Sequence, residues 1–298
     1  MTEYMKEYTD ILKAQYKEHR CWHQQNNPEN NKTAVIVEPR KHDLLIETIN
    51  NVVGYLGVTW NVHVVTHEDN DNWLREHFPS INIINIESRS MNGSEYNKLF
   101  MSECFWNLFK EEHILIFQTD SCIMNSNVNI HNFLQHPFIG GKYVSYNIYK
   151  QSDSSDKIII IPMNNSPSLS FSINGGFSLR QKSKMLECVR KITIDDIIAH
   201  RKKHNMCNTY YEQSVVIGED TYFQNALDVL GYKFPTIQQC WDFCENVCES
   251  PVKINENSLG VHNTLKENAM RANGQQVVER LRETLNLIHY PPGNNVSV

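Results

Sequence analysis

Four short runs constrain the fold more than anything else in the chain. Thr33 to Val37 (TAVIV), Asn61 to Thr66, Ile81 to Ile86 and His113 to Phe117 (HILIF) are almost wholly apolar or β-branched. Between them lie segments with helical spacing: Leu44 to Leu56, the shorter Asn72 to His77, and Glu95 to Lys110. The last carries an inward stripe of Tyr96, Leu99, Phe100, Cys104, Leu108 and Phe109. A strand that is apolar on both faces must be covered on both faces, and strands alternating with helices give that cover in a parallel sheet. The pattern predicts an α/β chain with a mostly parallel, Rossmann-like central sheet flanked by helices. Ligands of such sheets bind beyond the carboxyl ends of the strands. The loops after Val37 and Phe117 are therefore the first places to look for chemistry.

Residues 1–30 read as a leading helix, Tyr4 to Lys17, and a polar linker, and residues 31–298 as one domain, a length that buries a full core. The second half is less regular. Lys142 to Ile173 mixes a Ser- and Asp-rich stretch with the apolar run Ile158 to Ile161, which predicts a hairpin or flap. Asn174-Gly175-Gly176 predicts a tight turn and Phe177 to Arg180 a return to extended chain. Helices are expected over Lys182 to Lys191, over Thr221 to Leu230 after an opening Glu219-Asp220, and over Gln275 to Ile288.

Composition removes several function classes. A formal charge of −6, with Lys and Arg scattered, gives no electrostatic basis for binding a nucleic-acid backbone. No stretch approaches the length of an uncharged membrane span, and the opening Met1 to Glu7 is too polar for a secretory signal, so a soluble intracellular protein with no membrane insertion is expected. The eight cysteines then read as free thiols. Cys240, Cys244 and Cys248 are spaced to lie on one helical face, a buried or surface stripe in preference to a metal centre.

The segment Ile114 to Ser121 (ILIFQTDS) is the most informative for chemistry. Its apolar run ends in Gln118-Thr119-Asp120, so Asp120 should emerge at the carboxyl edge of a central strand. There it can bind a hard divalent ion whose other positions hold phosphate oxygens. The competing reading has Asp120 and Ser121 capping a turn. Asn174-Gly175-Gly176 allows the backbone to approach a sugar closely, or is simply a hairpin turn. Glu219 and Asp220 offer adjacent carboxylates for acid–base work, or merely favour a helix start through capping and the helix dipole. Glu38 and Arg40 are a ligand-binding pair or an ordinary surface ion pair. His262 is one of 13 histidines, most of which in any chain are ordinary.

An apolar strand followed by Asp-x-Asp is the donor-metal motif of GT-A glycosyltransferases, and Gln118-Thr119-Asp120 resembles it, with Gln in the first place as a departure. The order Glu38-Pro39-Arg40, Phe117 to Ser121, Asn174 to Arg180 and Glu219-Asp220 is similar to that of a glycosyltransferase-like family found in fungi, bacteria and large DNA viruses, over roughly Thr33 to His262. The resemblance implies a GT-A-like fold with an irregular acceptor-side half. It implies Mn²⁺ or Mg²⁺ on Asp120 and His262 and a UDP-sugar donor held by Glu38, Arg40, Asn97, Gln118, Thr119, Asn174, Gly175 and Gly176, with Tyr96 beside them. It also implies a catalytic carboxylate at Asp220 or Glu219. The expected reaction moves a hexose, glucose or galactose, onto a glycan or glycoprotein acceptor. A collagen-like hydroxylysine acceptor follows by analogy with viral surface proteins, and a homodimer is compatible with the class. The alternatives are an inactive carbohydrate-binding protein on the same fold and a nucleotide-sugar hydrolase.

Overall fold

The computed structural model describes residues 1–18, 26–143, 146–150, 158–162, 171–204, 217–247 and 254–285. The four apolar runs form β1 (Lys32–Val37), β2 (Asn61–Thr66), β3 (Asn82–Asn85) and β4 (His113–Phe117), mutually parallel in the order β3-β2-β1-β4. Two more strands, β9 (Ser172–Gln181) and β6 (Phe138–Tyr143), extend the sheet antiparallel beyond β4. The result is the mostly parallel α/β sheet that the alternation of strands and helices predicts. A second small sheet joins β10 (Cys244–Asn246), β11 (Gly260–His262) and β5 (Cys122–Ile123). The expected hairpin appears as β7 (Tyr146–Lys150) paired antiparallel with β8 (Ile158–Pro162).

Because β2 lies on one side of β1 and β4 on the other, the chain reverses its winding direction between β1 and β4. The connections that leave the carboxyl ends of those two strands therefore run to opposite sides and leave a crevice. The central positions Ala34, Val35, Ile36, Leu115 and Ile116 are fully buried, which fixes the sheet beneath that crevice as a rigid platform. Helix α2 (Leu45–Leu56) covers one face with Leu45, Ile49, Val52 and Val53. Its buried Asn51 bonds both the amide and the carbonyl of Ile123, at 2.7 and 3.2 Å, tying the small sheet to the large one.

Four expectations change. The helix predicted over 95–110 is two helices, α4 (Gly93–Phe100) and α5 (Glu103–Trp106), because Ser102 caps the second by accepting from the Phe105 amide. Asn174-Gly175-Gly176 is not a turn: it lies inside β9, at a register shift opposite Gly140 and Gly141 on β6. The cysteine stripe is broken, since α9 (Ile237–Phe243) ends before Cys244, which begins β10; both Cys240 and Cys244 are buried and Cys248 lies outside the described residues. A helix absent from the sequence pattern, α7 (Ile194–Lys203), follows α6 (Lys182–Lys191) and opens on a capping box between Thr193 and Asp196. The last helix, α10 (Glu267–Leu285), starts earlier than its apolar spacing suggested.

Helix α1 (Glu3–Glu18) packs along α10 and α2, and its Tyr8 and Leu12 sit in a second apolar cluster with Cys122, Met270, Val277 and Leu281. Leu12 is fully buried, so Leu12→Ala should cost about 2–5 kcal/mol by leaving a cavity. Urea unfolding measures this directly; a loss well under 1 kcal/mol would mean that the helix contributes little to the folded body. Among the described residues no helix is long and apolar enough to cross a membrane.

Candidate active site

Four segments meet at the crevice. After β4 the chain turns sharply: the Ser121 hydroxyl donates to the Gln118 carbonyl at 2.6 Å and accepts from the Gln118 amide at 2.9 Å. Thr264 grips the Asp120 carbonyl with its amide at 3.1 Å and its hydroxyl at 2.8 Å. Ser121 thus takes the turn-capping role, and the Asp120 carboxylate remains available to the crevice. Its Oδ1 stands 3.4 Å from Nε2 of His262 on β11.

His262 is aimed by its other nitrogen. Nδ1 lies 3.0 Å from Oδ1 of Asn246, which also accepts from the Asn263 side-chain amide at 2.6 Å. An oxygen at that position can only accept, so Nδ1 carries a proton, and in the neutral form of the ring Nε2 would present a lone pair. That lone pair faces Asp120 Oδ1 and, at 3.2 Å, Gln118 Oε1. Three electron-rich atoms therefore converge, an arrangement that a second ring proton or a cation reconciles. Among the described residues no three His, Cys, Asp or Glu side chains form a cation site. The set here has one carboxylate, one imidazole and a neutral amide, which is suitable chemistry for Mn²⁺ or Mg²⁺ with remaining positions left to a ligand. Burial alone would raise the Asp120 carboxyl, but with the second ring proton in place His262 and, after it, Lys266 outweigh burial and hold the group below the usual Asp value.

Beside these donors lies a cavity of about 260 Å³ lined by Glu38, Pro39, Arg40, Met91, Tyr96, Gln118, Thr119, Asp120 and Leu265 among others. Glu38 is buried and both its oxygens already accept from Arg40, at 2.8 Å each, so the pair is one unit whose exposed guanidinium edges the cavity. The Tyr96 hydroxyl is buried next to Gln118 without a well-formed hydrogen bond, and burial pushes its proton affinity far up. Asn97 does not line the cavity; its Oδ1 accepts from the Glu219 amide at 3.1 Å and caps α8 (Glu219–Val229), whose N-cap Gly218 has no side chain to do so.

The double glycine of β9 is where the halves of the site touch. A Cβ at Gly176 would lie 2.1 Å from His262 Nε2 and 2.6 Å from Gln118 Oε1. One at Gly175 would lie 2.1 Å from Glu219 Oε1 and 2.6 Å from an Arg180 nitrogen. At the register shift the Asn174 side-chain oxygen accepts from the Gly176 amide at 2.8 Å. Glu219 and Arg180 form a buried two-pronged pair at 2.5 and 3.0 Å. Next to it Asp220 has a carboxyl raised to about 6, chiefly by burial and then by the Glu219 charge; the Thr221 and Gly175 amides and Arg180 offset only part of this. The arrangement can thus hold a cation-bound anion on one side of β9 and supply a carboxylate of near-neutral proton affinity on the other.

Arg180 and Asn246 were not anticipated as site residues. Arg180 had a signal, a charged residue at the end of an otherwise apolar extended run; Asn246, on a three-residue strand, had none.

No curated protein matches this chain. Similar solved structures include a 4-diphosphocytidyl-2C-methyl-D-erythritol synthase, at 10% identity over 61% of this chain and 87% of that one, with a TM-score of 0.35. Another is the apo-form glycosyltransferase GlyE of Streptococcus pneumoniae TIGR4, at 12% identity over 87% of this chain and 62% of that one, with a TM-score of 0.43. One family model, described as "Protein of unknown function (DUF5672)", matches residues 80–262. That span runs from β3 through β11 and takes in Tyr96, Gln118, Asp120, Gly175, Gly176, Arg180, Glu219, Asp220, Asn246 and His262, leaving out the loop after β1 and the residues that follow His262, and the chain belongs to that family.

Proposed function

We infer that this protein is a metal-dependent glycosyltransferase moving a hexose from a UDP-sugar to a hydroxyl of a glycan or protein-linked acceptor. The observation that carries this is the convergence of Asp120 Oδ1, Gln118 Oε1 and His262 Nε2 at the crevice between β1 and β4, beside a polar-walled cavity. Asp120 and His262 would hold Mn²⁺ or Mg²⁺, with Gln118 adjacent; when bound, the ion neutralises charge on a departing diphosphate. Arg40 and the Tyr96 hydroxyl offer donors to the nucleotide, and the Gly175–Gly176 backbone allows a sugar to approach β9 closely. Asp220, across that strand, takes the proton from the acceptor hydroxyl.

Incubation with UDP-glucose, UDP-galactose and related donors plus Mn²⁺, with and without hydroxyl acceptors such as a hydroxylysine peptide, tests the assignment through UDP release. Acceptor-accelerated release is expected. Rapid release indifferent to acceptor would make the protein a hydrolase, and saccharide binding with no release from any donor would make it a carbohydrate-binding protein. Because Asp220 must be ionised to accept a proton and its midpoint is about 6, kcat/KM should fall about tenfold per pH step below that value and level off above it. A rate flat from pH 5 to 8 would remove Asp220 from the proton transfer.

A further inference from the structure

The Arg180–Glu219 pair is built at a cost that its surroundings do not explain as packing. Arg180 is fully buried, with its guanidinium carbon 4.7 to 5.9 Å from the ring centres of Phe138, Phe100, Phe223 and Trp106. Exchange of such a pair for apolar residues is often neutral or stabilising, so a pair in this setting calls for another role. Its bonds run to the site: Arg180 donates to the Ser178 hydroxyl at 3.0 Å and the Gly175 carbonyl at 3.3 Å, and Ser178 donates to that same carbonyl at 2.8 Å. Glu219 is the residue immediately before Asp220.

We propose that the buried Arg180–Glu219 pair is a positioning device that clamps the Gly175–Gly176 strand to the first turn of α8 and so holds Asp220 at the acceptor side of the site. The role assigned to Asp220 rests on the transferase reading; the clamp itself does not. Two fixed charges face Asp220, Glu219 on its own helix and Arg180 on β9. The Glu219 charge in turn helps to raise the Tyr96 phenol on α4, after burial. Helix α7 meets α8 further along, through Arg201 with Asn225 and His200 with Asp228. Removing the Glu219 charge abolishes a like-charge repulsion and leaves Arg180 uncompensated, and both changes favour the ionised Asp220.

Carbon-13 NMR of the aspartate carboxyls, with Asp220 assigned by Asp220→Asn, reads this without needing turnover. In Glu219→Gln the Asp220 midpoint should drop from about 6 to below about 5, with burial keeping it above an exposed aspartate; an unchanged midpoint overturns the proposal. Arg180→Lys keeps the charge but loses the fork. It should shift the amide resonances of Gly175, Gly176 and Asp220 and lower kcat about tenfold, with the donor KM within twofold. Unaltered amide resonances in a folded Arg180→Lys protein overturn the proposal even if Glu219→Gln does not fold. If wild-type protein turns over no donor, the NMR outcomes still decide the clamp and only the transferase assignment falls.

Discussion

Asp120→Ala should reduce donor turnover by on the order of a thousandfold or more, the scale expected when a cation opposite a leaving group is lost. The reason lies in the inventory of donors. Among the described residues Asp120 brings the only formal negative charge to the convergence point, since Gln118 is a neutral amide and His262, its Nδ1 turned to Asn246, offers at most a neutral nitrogen. Two neutral donors do not hold a hard divalent ion against water, so on the proposed reading the variant would lose the ion and with it the stabilisation of developing diphosphate charge. A thousandfold corresponds to about 4 kcal/mol of transition-state stabilisation. The fold should survive, because the turn from Gln118 to Ser121 is held by the Ser121 hydroxyl and by Thr264, neither of which touches the Asp120 carboxylate. Calorimetric titration with Mn²⁺, alone and with UDP, should show the binding heat vanish along with the rate. If Asp120→Ala still binds Mn²⁺ and releases UDP within a few fold of wild type, the cation is held elsewhere and the assignment of the crevice is wrong.

The sheet was legible because its signal is local. An all-apolar run of four such as Ile114 to Phe117 has few other places to go, and β4 begins and ends where its side chains change character. Asp120 was legible for the same reason, as the first carboxylate beyond a buried strand. What failed were features set by distant partners. The double glycine reads locally as a turn, since nothing in the sequence says that Glu219 and His262 will press on it from two sides of β9. Asn97 reads as a cavity residue beside Tyr96, but the missing side chain at Gly218 draws it to cap α8. The break at Ser102 and the early start of α10 are capping effects, in which one hydrogen bond outweighs an apolar period. Asn246 leaves no trace at all: its importance comes from an oxygen placed 3.0 Å from a ring nitrogen sixteen residues away.

Adding one methyl group to each of two adjacent glycines should separate stability from chemistry. In Gly175→Ala the new Cβ falls 2.1 Å from Glu219 Oε1 and 2.6 Å from an Arg180 nitrogen. Neither group can retreat, because Arg180 is fully buried among aromatic rings and Glu219 is held at its backbone by Asn97 and at its carboxylate by the guanidinium. Relief requires parting a buried pair, at about 3–5 kcal/mol. In a domain of this size that lowers Tm by on the order of 10 °C. In Gly176→Ala the Cβ falls 2.1 Å from His262 Nε2 and 2.6 Å from Gln118 Oε1. These atoms belong to side chains bordering the crevice, so the imidazole and amide can swing aside at a stability cost of only about 1–2 kcal/mol. The methyl then occupies the place where the three donors meet. Mn²⁺ binding and UDP release should collapse in Gly176→Ala while its Tm stays near wild type. Gly175→Ala, by contrast, should melt early yet keep Mn²⁺ affinity within about tenfold below its transition, since His262 and Asp120 are untouched. Equal losses of Tm and of Mn²⁺ affinity in the two variants would mean that β9 moves as one rigid piece, and that its two glycines do not face two separate sites.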